Sequence, residues 1–584
     1  MKDPFPRPVS RLIAALFGLL VVFLYFYRAD ELPRPHGDER AFLDVPYRFA
    51  NFGDLRYPVF MSESFGSAEL RPYPPITALA LRSVAVRTIG FSARNSRYVS
   101  GALVLMVVLS AGLWLRSRFL VPWPPLTLIL APLALAPVVV IAARSTRLEQ
   151  ETFFFGAISA LLLAGGAPPG LTSRPLRLGA AGMFAAIAAG MHPFGVVYGG
   201  LAAIVLVAAR RPKDLTRWIG GAVAGALPTV WWMFEKRDSL AAFAAANGAM
   251  YQARERDLTS WLAQFASVSW LQPLGLPETV MARLAAVQHS AFSEYVGFPV
   301  EPGAFGLLLR LLFWMEAAFV ARFLLRHLRS RRAENDGVAW LALLGLGFLL
   351  FAFAYVPNTT YGLYGAFHVH LAFAAVCLAE AGGRPAWKQR RLAAVSLAFI
   401  AFGLVSAVRL VAAPAVLTLD DELGAMGKVA RAAGIRPEDT VMTSTETWVA
   451  AGSRNTSLLE RVQYGLGAAP HDAVAYRRSY VEFYLGAGLP ADPRLQSETR
   501  RARAAALSRV LEGLTLSGLL IFDGAQKDAV YFFRRGGSGG VSVASLDPAR
   551  PMPLRVVPRG GGGVEGPRVD CDTQPLPLCT FHEP

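Results

Sequence analysis

Long apolar runs alternate with short polar connections over the first seven-tenths of this chain, and few of the runs carry a polar stripe. Eleven such runs lie near 10–27, 97–115, 122–142, 152–167, 178–192, 194–209, 218–235, 304–325, 338–356, 363–382 and 392–412. About 20 apolar residues cross a bilayer as a helix, because the helix satisfies every backbone polar group internally. The pattern therefore predicts a polytopic α-helical membrane protein with about 11 transmembrane helices. His192-Pro193 interrupts the 178–209 region, which reads either as two helices or as one broken hairpin. The first run ends in Tyr27-Arg28-Ala29-Asp30-Glu31, with no small-x-small cleavage site, so it reads as a retained signal-anchor.

Beyond residue 412 the pattern changes. Residues 417–435 read as an amphipathic helix, followed by a strand at Thr440–Thr443. A second helix over 497–514 leads into the strand-like Leu519–Phe522, an Asp523-Gly524 turn and another strand at Val530–Phe533. Helices alternating with short apolar strands indicate a small α/β domain over 413–545, with a Pro/Gly-rich tail over 546–584. Helical patterns do not follow the glycine runs at 536–540 and 560–563, which read as linkers rather than phosphate-cradling loops. Cys571 and Cys579 are spaced for either a disulfide or two free thiols, and Cys377 reads as a small core residue.

Composition fits this picture. Of 584 residues 54% are hydrophobic and 17% charged, against about a quarter charged in soluble proteins. Disorder is excluded by the apolar content, and a disulfide scaffold by the three cysteines. The net charge of +16 first suggests nucleic acid. Its distribution says otherwise: Arg116 and Arg118, Arg174 and Arg177, the 210–217 cluster, the 326–332 cluster and the 384–391 cluster fall in alternate connections. That is the positive-inside signature, with the N-terminus in the cytoplasm and no nucleic-acid partner. The first loop (28–96), the second (236–303) and everything from 413 onward then face the external side, within a transmembrane domain spanning 1–412.

Candidate chemistry sits at the external rim. His36-Gly37-Asp38-Glu39-Arg40 places two adjacent carboxylates close to the first span, able to act as a general base and its neighbour, although most such pairs are solvated turns. Arg71-Pro72-Tyr73-Pro74-Pro75 leads into a helical stretch at 76–90 whose Arg82 and Arg87 point to an interfacial helix. Residues 143–151 gather Arg144, Arg147, Glu149 and Glu151 between two apolar runs, consistent with self-satisfied salt bridges or with a site. His192 ends one run; a lone histidine there is more often structural. His368 and His370 are about 200° apart around a helix, so they do not jointly bind one metal. Tyr361 and Tyr364 read as interfacial aromatics.

Taken in order, "HGDERAF", "RPYPPITALAL", "NSRYVSGAL", "ARSTRLEQETF" and "GMHPFG" resemble the GT-C superfamily of polyprenyl-phosphate-sugar-dependent glycosyltransferases. The likeness covers roughly 8–412 and is nearest the bacterial protein O-mannosyltransferase and aminoarabinose transferase types. It implies a GT-C-like fold and a membrane glycosyltransferase that moves a sugar, with inversion, from a polyprenyl-phosphate donor to a hydroxyl of a lipid, polysaccharide or protein. Asp38 would be the base on the external face of a bacterial cytoplasmic membrane. It further implies substrate-binding roles for Glu39, Arg71, Tyr73, Arg147, Glu149 and His192. Tyr73 stands where aminoarabinose transferases carry a lysine, so the phosphate partner falls to Arg71, or to Arg254 or Arg256 of the second loop. Trp231-Trp232-Met233 replaces the Trp-Trp-Asp of oligosaccharyltransferases, which speaks against transfer to asparagine. The first loop has no Asp-x-Asp pair, so no cofactor is called for, although a divalent metal is left open. A transporter or flippase of a lipid-linked sugar, or a catalytically silent assembly partner, are the rival readings.

Overall fold

In the computed structural model the described residues are 7–32, 37–53, 76–147, 149–165, 173–192, 194–208, 210–235, 304–330, 336–354, 362–381, 387–414, 417–444, 446–450, 455–458, 470–486, 493–522, 528–536, 539–547, 549–560, 567–571 and 579–582. A helix occupies each of the eleven apolar runs. They are α1 (Arg7–Phe26), α4 (Ala93–Phe119), α5 with α6 (Trp123–Leu135, Pro137–Ala143), α7 (Glu149–Leu163), α8 (Arg174–Met191), α9 (Gly195–Ala208), α10 (Pro212–Glu235), α11 (Ala304–Ser330), α12 (Asp336–Ala354), α13 (Gly362–Ala381) and α14 (Trp387–Ala412). Two further helices, α2 (Gly37–Phe52) and α3 (Ile76–Ile89), belong to the first loop.

Among the described residues three helices, α4, α13 and α14, are long and apolar enough to cross a membrane. A fourth span results if α5 and α6, bent by 73° at Ala136-Pro137, count as one. The bend follows from proline, which lacks the amide that would continue the helix. Leu12, Leu16 and Leu19 on α1, Leu109 and Leu113 on α4, Val223 and Leu227 on α10, and Leu404 and Val408 on α14 all point outward. Outward leucine and valine on this scale invert the soluble pattern and suit a hydrocarbon solvent.

Small residues set the closest helix contacts. A Cβ on Gly182 of α8 would overlap the Trp218 carbonyl of α10, and one on Gly221 would overlap the backbone of Gly179. The two backbones touch there, as small-residue seams permit in membranes. Two arginines bind helix ends. Arg28, in the left-handed region at φ 50° just past α1, donates to the carbonyls of Leu410, Ala413 and Pro414 at the end of α14. Arg144, after α6, donates to the carbonyls of Leu32, Tyr27 and Arg28 at 2.9 Å and to that of Leu24. A cation at a helix C-terminus satisfies exposed carbonyls and complements the dipole.

After α14 comes α15 (Leu419–Ala432), opened by a capping box between Thr418 and Asp421. A seven-stranded mixed sheet follows, in the order β2-β1-β3-β5-β4-β6-β7. Its strands are β1 (Val441–Thr443), β2 (Asn455–Ser457), β3 (Ala473–Arg477), β4 (Leu514–Ile521), β5 (Ala529–Arg535), β6 (Gly540–Ser545) and β7 (Met552–Pro558). One face carries α16 (Arg478–Gly486) and α17 (Pro493–Leu511), packed through Val481, Leu485, Leu507 and Val510. The other carries α15, through Leu423, Met426 and Val429, together with Leu43 of α2 and Ala93 of α4. The first-loop helix thus shares a core with the C-terminal domain. Gly518, beside an irregularity in β4, lets α15 approach: a Cβ there would sit 3.0 Å from Val429 and 3.1 Å from Ala433.

The sheet extends past residue 545. β7 pairs antiparallel with β6, and Gly540 opens β6, so part of the expected tail and of the first expected linker is sheet. Pro553 and Pro558 obscured that strand, and they are tolerated because β7 lies at the sheet edge. A hairpin of β8 (Arg568–Cys571) and β9 (Cys579–His582) follows, with Cys571 directly opposite Cys579 in the backbone register.

Candidate functional site

Three buried ion pairs converge where α2, α3, α4, α6 and α7 meet. Asp38 and Glu39 lie in the first turn of α2; the Asp38 side chain is outside the described residues. Glu39 is fully buried and is held by Arg97 of α4, with Nε at 2.8 Å from Oε1 and Nη2 at 2.7 Å from Oε2. The Thr146 amide also donates to Glu39, and Arg97 donates to the Ala29 carbonyl at 2.6 Å. One carboxylate therefore ties α2 to α4 and to the 144–148 connection. A carboxylate committed to a bidentate arginine and a backbone amide holds its helix end in place.

The second pair was not foreseen in the sequence. Arg82 of α3 is fully buried and donates to Glu151 of α7 at 2.8 and 3.1 Å, to Ser100 at 3.1 Å and to the Arg147 carbonyl at 3.1 Å. The expectation that α3 lies in the interface is corrected for this side chain. A guanidinium that leaves water needs a partner, and Glu151 supplies one inside the helix layer. Arg87, by contrast, is exposed and lies 5.0 Å from the Phe49 ring.

The third pair is Arg147 with Glu149, at 3.1–3.3 Å. It is the loosest of the three. Gln150 folds the connection around it, accepting from the Arg147 amide at 3.0 Å and donating to the Ala142 carbonyl at 3.0 Å and Ser145 Oγ at 3.1 Å. His192 lies within electrostatic reach of Glu149 and Arg147, and its Nδ1 accepts the Phe194 amide at 3.2 Å. Tyr364 donates to the Glu149 carbonyl at 3.0 Å and is fully buried, which corrects its reading as an interfacial aromatic. Its ring stacks with Phe194 and Phe348, so packing claims it rather than the headgroup region.

The structure therefore brings together Glu39, Arg147, Glu149 and His192 of the expected site residues. Arg71, Tyr73, Tyr361, Arg254 and Arg256 lie outside the described residues. Of the functional side chains missed, Arg97 sits inside the quoted "NSRYVSGAL", and a charge opening an apolar helix was its signal. Arg82 lies mid-way along a largely apolar helix, a signal that was assigned to an interface. Deeper in the bundle His370 meets Glu316 at 2.6 Å, both fully buried, and His368 Nδ1 meets the Tyr364 carbonyl at 2.7 Å. The two histidines take separate partners. Among the described residues no three His, Cys, Asp or Glu side chains converge as a metal would require.

A second charged cluster adjoins the first. Arg40, next to Glu39, reaches the other way: Nη2 lies 2.7 Å from Glu422 of α15 and Nη1 3.2 Å from Glu446. Arg477, at the end of β3, lies 3.5 Å from the same Glu422 and 3.2 Å from Glu446. It also donates to Asp528 at 2.8 Å and stands 4.4 Å from the Phe522 ring. Burial alone would raise the Asp528 carboxyl, but the hydrogen bond and charge of Arg477, with Ser479, hold it below the usual carboxylate range.

No protein-family model matches the chain, and no curated protein matches it either. Among solved structures it is similar to ArnT from Cupriavidus metallidurans in the apo state, at 12% identity over 90% of this chain and 98% of that one, TM-score 0.48. It is also similar to ArnT bound to undecaprenyl phosphate, at 13% identity over 89% and 97%, TM-score 0.46. A third is the oligosaccharyltransferase of Archaeoglobus fulgidus in complex with zinc and sulfate, at 13% identity over 95% of this chain and 78% of that one, TM-score 0.47. ArnT is an aminoarabinose transferase, and both proteins are GT-C glycosyltransferases. At this level the likeness is one of outline, and the chemistry rests on this chain's own residues.

Proposed function

We propose that this chain is a multi-pass membrane glycosyltransferase that moves a sugar from a polyprenyl-phosphate donor to a hydroxyl acceptor. The observation that carries the reading is the first turn of α2, bearing Asp38 and Glu39, held by Glu39 against Arg97 and the Thr146 amide at one end of an apolar helical bundle. Fixed polar groups at a bundle rim suit a reaction whose donor is anchored in lipid and whose acceptor arrives from water. The chain would span the bilayer about eleven times, with this rim and the C-terminal domain on the external side of a bacterial cytoplasmic membrane.

In this reading the Asp38 carboxylate takes the acceptor's hydroxyl proton while that oxygen attacks the anomeric carbon. The bond from that carbon to the phosphate oxygen breaks, and the polyprenyl phosphate departs with the electron pair. A single in-line displacement inverts the anomeric centre. Developing charge on the phosphate calls for guanidinium donors. Arg147 is the arginine of the rim with the longest contacts to its carboxylate, so it is the one assigned to the phosphate, with Arg71 and Tyr73 from the first loop. Glu149 and His192 orient it.

Purified protein given labelled polyprenyl-phosphate sugars should release the sugar to an acceptor or to water, and Asp38→Asn should slow this about 10²–10⁴-fold without altering yield or unfolding temperature. Wild-type turnover by that variant would remove Asp38 as the base. A transporter of lipid-linked sugar remains the second reading because Glu316 and His370 place an ionisable pair in mid-bundle, where transporters keep theirs. Movement of intact donor across a sealed vesicle, without transfer, would favour it.

A further inference from the structure

The Asp38-bearing turn is gripped from two sides, and only one grip belongs to the helical bundle. Glu39 is bound by Arg97 and the Thr146 amide. Arg40, the next residue, is bound by Glu422 and Glu446 of the C-terminal domain. The three side chains of the second grip, and Arg477 beside them, are each about a tenth exposed or less. Trp448 adds a third hold, donating to the Arg40 carbonyl at 2.7 Å while its ring lies against Tyr47 of α2 at 5.0 Å.

We infer that the C-terminal domain is a positioning clamp for the catalytic turn, acting through Arg40, Glu422 and Glu446. The inference deepens the transferase reading and rests on it for the activity readout. Three points in the geometry support it. First, Arg477 shares both Glu422 and Glu446 with Arg40, so the two glutamates are held in place from the sheet before α2 arrives. Second, the cluster sets three carboxylates, Glu422, Glu446 and Asp528, against two guanidiniums. Withdrawing Arg40 would leave three carboxylates facing the single guanidinium of Arg477, which opposes undocking. Third, the same helix, α15, also fixes α4: Asp420 accepts the Ala93 amide at 2.6 Å and the Arg94 amide at 3.1 Å. Arg97 of that α4 segment is the partner of Glu39. The domain thus aligns both elements that set the Asp38 backbone.

The test uses full-length protein in nanodiscs and two single variants, Arg40→Gln and Glu446→Gln, with the double variant. Hydrogen exchange of the amides of 39–52 is read beside transfer kinetics and beside exchange in β3 to β6. Each single variant should raise exchange in α2 about tenfold and lower kcat about tenfold, with KM for the lipid donor unchanged. The double variant should do no more than either single one, and Arg40→Lys should recover part of both losses. Arg40→Gln leaves Glu422 and Glu446 with Arg477, so the sheet should keep its protection and report that the domain is folded. Unchanged exchange in α2, or a drop in kcat confined to variants that also deprotect the sheet, overturns the clamp. Raised exchange in α2 in a wild-type background that transfers no sugar leaves the clamp standing and sinks the transferase reading instead.

Discussion

The two ends of the helical layer differ in how dry their most buried ion pairs are. At the end that holds α2, Arg97–Glu39 and Arg82–Glu151 are at most 1% exposed, with two-point contacts. At the other end, Arg211 and Asp336 meet at 3.0 Å with 45% and 43% of their side chains exposed, and Arg326 meets Glu380 at 3.9 Å. Solvated pairs of the second kind add little to stability. Pairs of the first kind give up hydration and are retained where a fixed geometry is worth more than apolar packing. Abundance of arginine at an end therefore says less than how dry its partner is.

The sharpest way to break this contrast is Arg97→Leu, which strands the Glu39 carboxylate. It should cost about 3–5 kcal/mol, seen as a large fall in the midpoint of denaturant unfolding in detergent; a loss near that of an exposed pair would erase the distinction between the ends. Next comes Gly182→Leu, which puts a side chain where the Trp218 backbone lies. Overpacking of this kind costs about 1–3 kcal/mol, and thermal inactivation in micelles should register it if the seam is as tight as described.

An intermediate case is Asp528, partly exposed and bound to Arg477. Its folded-state carboxyl titrates below the unfolded value, so its contribution is present above that value and is lost as pH falls through the folded one. Wild type should therefore exceed Asp528→Asn in stability at pH 7, with the gap closing as the pH drops below about 4; a pH-independent gap would assign the effect to packing. Arg211→Ala should do least, about 0–1 kcal/mol, and less still in high salt. A larger loss would show that exposed pairs at this end also carry structure.

The helices could be read from the chain because an apolar run of bilayer length admits few alternatives. The ion pairs could not, because a sequence places Arg82 or Arg97 on a helix without saying what faces it; Arg82 finds Glu151 sixty-nine residues later. Asp38–Glu39 and the 144–151 stretch were recognisable as polar islands, yet the partners of Glu39 and Glu151 come from other helices and could not be read from the chain. In the C-terminal domain α15 and β4 were legible, but β3 was not. Its Ala-Val-Ala-Tyr run is buried on both faces, so it shows no alternation.

Arg28 and Arg144 imply an order of events in biosynthesis. The carbonyls ending α1 are complete only once Arg144 has been made, about 120 residues after Leu24, while Arg28 waits some 382 residues for Leu410. Until then the last carbonyls of the first helix lack those donors, while Arg28 already has Glu31, three residues on, as a partner. The last helix of the layer thus completes the end of the first, across some 382 residues of sequence.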